Sequence, residues 1–99
     1  MPALELLLVV RPNLTQQGLQ QVIQKVEEYI YHVDGKISKA ENWGLKRLAY
    51  EIEGFDKAYY ILIKYSSPYD SSKSLEKILE KDEDILNKMI INKNWEEEE

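Results

Sequence analysis

Apolar residues alternate with polar ones in some stretches of this chain and recur at helical spacing in others. Residues 4–11 carry Leu4, Leu6, Leu8 and Val10 on one parity, with Leu7 and Val9 on the other. A strand apolar on both faces belongs inside a sheet rather than at its border. Pro12-Asn13 ends it. Thr15 then offers an N-cap, and Leu19, Val22, Ile23, Val26, Ile30 and Val33 make one apolar stripe of a helix running to about Val33. Gln16, Gln20, Gln24, Lys25, Glu27 and Glu28 take its wet face. Asp34-Gly35 stops it, with Gly35 the expected left-handed residue.

A long strand is predicted over 36–53. Ile37, Trp43 and Leu45 fall on odd positions, whereas Leu48, Tyr50 and Ile52 fall on even ones. Side chains alternate faces along a strand, so the change of parity predicts an extra residue, a bulge between Gly44 and Arg47. Gly44 is best able to take the unusual dihedrals there. Tyr50, sharing parity with Leu48 and Ile52, is expected to cover the core. Gly54-Phe55-Asp56-Lys57 reads as the hairpin connection and 58–65 as the next strand, closed by Pro68. A second helix starts near Asp70, Ser71 or Ser72, buries Leu75, Ile78 and Leu79, and ends at Lys81-Asp82-Glu83-Asp84, expected to be a solvated turn. The last strand is 85–93.

The order β-α-β-β-α-β predicts an α+β, ferredoxin-like fold: a four-stranded antiparallel sheet with both helices on one face. The first and third strands take the centre, leaving the second and fourth as edges. We expect a single domain over 1–93 and an acidic, unfolded tail over 94–99. Many functions share this fold.

Chemistry is bounded by what is missing. With no cysteine and one histidine, His32, the chain has no thiolate site and no histidine cluster. No cofactor is expected. No apolar run is long enough to span a membrane, and no basic segment precedes the first one, so an intracellular protein is expected. The formal charge of −5 disfavours a stand-alone nucleic-acid binder. Residues 96–99, all glutamate, supply four of those charges, leaving about −1 for residues 1–95.

Against that background Trp43-Gly44-Leu45-Lys46-Arg47-Leu48-Ala49-Tyr50 stands out. The segment resembles the Leu-Gly-Leu-Arg-Arg-Leu-Ala-Tyr pattern of the bacterial-type small ribosomal subunit protein six family. Arg11-Pro12-Asn13-Leu14 resembles that family's first loop, Tyr59-Tyr60 the start of its third strand, and 85–93 its closing strand. The likeness covers residues 3–93. It implies a non-enzymatic structural protein of the small subunit, in a bacterial cytoplasm or an organelle. Such a protein binds the central domain of small-subunit rRNA together with a basic partner, small-subunit protein eighteen. The chain departs from the pattern at Pro2-Ala3, at Glu51 and at Leu86-Asn87-Lys88, where the family often has basic residues, proline and arginine respectively.

The candidate RNA-binding residues are Lys46, Arg47, Lys88 and Arg11. Arginine can grip a phosphate with two hydrogen bonds and lysine adds a point charge. The plain alternative for Arg47 is a glutamate partner across the sheet. The candidate partner-binding residues are Trp43, Leu45, Tyr50, Lys93 and Trp95; an exposed edge strand invites another chain. A rival reading is a small-molecule-sensing or regulatory module, or an acylphosphatase-like enzyme, on the same fold. Four unclustered glycines and a first loop without a glycine nest fit it poorly.

Overall fold

The computed structural model describes residues 3–68 and 71–92. The elements are β1 (Ala3–Val10), α1 (Gln16–His32), β2 (Lys36–Ile52), β3 (Phe55–Ser66), α2 (Ser72–Glu80) and β4 (Ile85–Asn92). The sheet order is β2-β3-β1-β4, antiparallel throughout. The doubly apolar first strand is central and the 17-residue β2 is an edge.

Each parity of β1 serves a different face. Leu4, Leu6, Leu8 and Val10 join Ile61, Ile63 and Tyr65 of β3 beneath Leu19, Val22, Val26 and Ile30 of α1 and Leu75 and Leu79 of α2. Val9 joins Leu48, Ala58, Tyr60 and Ile52 in a smaller cluster on the open face. Thr15 caps α1, its hydroxyl accepting from Gly18 N at 3.0 Å.

Several expectations are corrected. The left-handed residue after α1 is Asp34 (φ 62°), not Gly35. Gly35 is required for space instead: a Cβ there would lie 2.5 Å from Ile30 Cγ2. The hairpin turn is Glu53-Gly54, both at positive φ (51° and 85°), and Phe55 already belongs to β3. Two positive-φ residues give the turn whose twist matches the flanking strands.

The bulge is present, with Gly44 at φ 85°, but Trp43 is the inserted residue, lying between the pairs Asn42–Ile61 and Gly44–Tyr60. Gly44 N donates to Asn42 Oδ1 at 2.8 Å, which holds the kink. The register also shifts around Ser38 and again beyond Arg47, where residues 48–51 face Asp56 alone. The change of parity therefore does not return all apolar residues to one side. Ile37 packs on the helix-side core, whereas Leu48 and Ile52 fold onto Val9 on the open face.

The turn before β4 is not simply solvated. Asp82 is only 4% exposed in its side chain and lies 2.8 Å from Lys25 Nζ. Lys25 also reaches Asp84 Oδ2 at 3.0 Å, Tyr29 OH donates to Asp82 Oδ2 at 3.1 Å, and Arg11 Nε donates to Asp84 Oδ1 at 2.7 Å. These contacts tie the end of β1 and the middle and later turns of α1 to the loop that launches β4.

Candidate nucleic-acid and partner interface

The β2–β3 hairpin is long and its outer edge is unpaired in the sheet. Its bulges decide which way each side chain faces. Residues directly opposite one another in an antiparallel pair share a face. Lys46 lies opposite Ala58, which belongs to the open-face cluster, so Lys46 is on the open face. Arg47 lies opposite Lys57 and Leu45 opposite Tyr59, which packs against the helix-side core. Lys46 and Arg47 are therefore back to back across the strand rather than a side-by-side pair.

The glutamate alternative for Arg47 is not realised: across the ladder it meets a lysine. Among the described residues Lys46, Arg47 and Lys57 make no ion pair. All three are exposed.

The apolar candidates on β2 are also presented outward. Trp43 is 44% exposed, Leu45 50% and Tyr50 78%. Tyr50 is thus not a core residue. It sits within the 48–51 bulge, where Leu48 turns inward and Tyr50 borders a shallow cleft with Val9, Leu48 and Tyr60. The Trp43 indole is held in place, its Nε1 donating to Glu41 Oε1 at 2.9 Å. That bond, with Lys39 next, keeps the Glu41 carboxyl below its ordinary pKa.

The other candidates stand apart from this edge. Arg11 is engaged by Asp84 and by Asn13 Oδ1 at 2.9 Å, at the far end of β1 from the sheet's Ser66 pairing. Lys88 lies opposite Leu8 on the helix side of β4, 3.7 Å from Glu80 Oε1. Lys93 and Trp95 lie outside the described residues, as do the tail glutamates. Lys57 was missed. A two-residue turn followed by a regular ladder would set it opposite Tyr50; only the extra residues of β2 slide Arg47 into that position. Among the described residues no cluster of metal-ligating side chains occurs, and no helix is long and apolar enough to cross a membrane.

The arrangement leaves an exposed, partly apolar and partly cationic strand edge. The family model for ribosomal protein S6 matches residues 4–92. Small ribosomal subunit protein bS6 of Clostridioides difficile (strain 630) is 34% identical over 87 residues, covering 88% of this chain and 94% of the relative. That of Heliobacterium modesticaldum is 31% identical over 90 residues, covering 91% and 94%. The crystal structure of 30S ribosomal protein S6 from Thermotoga maritima superimposes with a TM-score of 0.90 at 22% identity, covering 98% of this chain and 92% of that one, and shares its fold. The relatives are bacterial small-subunit proteins, which sets this chain on the ribosome, in the cytoplasm. With the family pattern running through almost every described element, the chain belongs to the ribosomal protein S6 family, as a non-enzymatic structural component of the small ribosomal subunit in translation.

Proposed function

We propose that this chain binds the central domain of small-subunit rRNA as one half of a pair, the other half being the basic small-subunit protein eighteen. The observation that carries this reading is the outer edge of β2. There Trp43, Leu45 and Tyr50 are exposed beside Lys46 and Arg47, which have no ion-pair partner among the described residues. Exposed apolar side chains on a strand whose outer edge is unpaired suit a docking protein, and unneutralised cations suit phosphate. The net charge of −5 assigns the labour: the acidic chain attracts a basic partner, and the partner supplies most phosphate contacts. In this reading residues 1–93 act as one domain, and 94–99 add negative charge that steers the partner. Lys93 and Trp95 are further candidate contacts to the partner protein in this reading. Arg11 and Lys88, already engaged by acids, contribute to RNA contact less than Lys46 and Arg47.

Filter binding of a central-domain rRNA fragment, with and without the partner, tests the reading. Weak binding alone and strong, salt-sensitive binding together are expected. Equal binding in the two cases would reject the cooperative mechanism.

A further inference from the structure

Two pairs of directly opposite residues in the sheet are both cationic, Lys39–Lys64 and Arg47–Lys57. Like charges placed opposite one another destabilise a sheet. The chain answers the first pair with acids. Lys39 Nζ lies 3.3 Å from Glu41 Oε2, and Lys64 Nζ lies 3.9 Å from Glu5 Oε2. The second pair has no such answer among the described residues. The nearest acid in sequence, Asp56, alternates to the other side of β3 from Lys57. Two exposed cations thus share one face with Cβ atoms about 5 Å apart, the ordinary spacing of such a pair. That spacing lets a guanidinium and an ammonium meet the oxygens of a single phosphate.

We infer that Arg47 and Lys57 form a two-cation clamp for one phosphate of the RNA backbone. Arg47 supplies the planar fork and Lys57 the point charge. Lys46, on the opposite face, is not part of the clamp and lies where it can meet a different strand or the partner protein. The assignment rests on the proposed rRNA binding and adds Lys57 to it. The repulsion is tolerated in the isolated protein and relieved when the anion arrives, so the same substitution should stabilise the free chain and weaken the complex.

The test is Lys57→Gln, with Lys39→Gln as a control whose charge is already neutralised. Free-protein melting and partner-assisted rRNA binding across a salt series are measured for both. Lys57→Gln should raise the melting midpoint by about 1–4 °C. It should weaken RNA binding on the order of three- to tenfold and lower the salt slope by about 1. Arg47→Gln should do the same, and the double variant should lose less than the two losses combined. Lys39→Gln should leave the slope unchanged.

Normal wild-type binding with an unchanged Lys57→Gln slope would overturn the clamp and leave the rRNA reading standing. A wild-type chain that fails to bind the RNA with its partner would overturn both. An equal loss from Lys39→Gln would reduce the effect to net charge and overturn the assignment. Weaker assembly at an unchanged salt slope would transfer Lys57 to a protein contact, with the same consequence.

Discussion

Lys25 occupies a position that two aspartates compete for. Burial pulls its pKa down, but hydrogen bonds to Asp82 and Asp84 outweigh burial and hold it above the ordinary lysine value. Burial likewise pushes Asp84 up, and the bonds from Lys25 and Arg11 win, leaving its carboxyl below the usual range. A depressed carboxylate stabilises the fold above its unfolded value and loses that contribution as pH falls through the folded value. A raised lysine stabilises below its unfolded value and loses that contribution as pH rises through the folded one. Burial and the Asp82 bond raise Tyr29 as well, adding to the alkaline loss. Stability should therefore decline below about pH 4 and again above about pH 10. Urea unfolding of Lys25→Met across that range should show both limbs flattened. At neutral pH the substitution should cost about 1–2 kcal/mol, a buried-pair loss discounted because Lys25 is about one-third exposed. Gly35 gives a simpler case. Gly35→Ala drives a methyl into Ile30 and should cost about 1–3 kcal/mol by denaturant titration.

At the scale of elements, β2 is the part of the fold that local rules describe least well. It carries three register irregularities, a glycine at φ 85° and a turn with glutamate at φ 51°. Nothing lies within 4 Å of where a Cβ on Gly44 or Gly54 would sit, so substitution there costs backbone strain alone. Gly54→Ala should lose about 1–2 kcal/mol. Glu53→Asn should gain about 0.5 kcal/mol, since asparagine accepts positive φ more readily than glutamate. Thermal melts of the two variants would check this. Gly44→Ala should lose about 1–2 kcal/mol as well. Because Gly44 follows the inserted Trp43, the change should also alter the indole environment, visible as a shift in tryptophan emission. An unshifted spectrum alongside lost stability would mean that the bulge tolerates a side chain and that Trp43 is held mainly by Glu41.

For the whole molecule the controlling quantity is how charge is distributed. Arg11, Lys25, Lys39, Lys64 and Lys88 lie against acids within the protein, while Lys46, Arg47 and Lys57 make no ion pair among the described residues. Within the proposed cooperative binding, removing residues 96–99 would change the charge from −5 to about −1. Stopped-flow association with the basic partner should then slow several-fold at low salt and converge with the full chain at high salt. An unchanged rate at low salt would clear the tail of a steering role.

The element order, the central place of β1, the stripe of α1, the Thr15 cap and the edge position of β2 were all legible in the sequence. Each follows from a local pattern: alternation, helical spacing, or a capping side chain. The family was legible as well, through the Trp43-to-Tyr50 segment. What long-range register decided could not be read in advance. Counting parity indicated a bulge but not that Trp43 was the inserted residue, nor that Leu48 and Ile52 served a second apolar cluster. Adjacency in sequence suggested joining Lys46 to Arg47. The strand alternation separates them, and the surplus residues 48–51 bring Lys57 opposite Arg47 instead. In the same way Asp82 and Asp84 looked like part of a wet turn until the fold carried Lys25 to them. Charges near in the chain are known from the sequence; charges near in space depend on which strand residues are skipped, and only the folded ladder sets that.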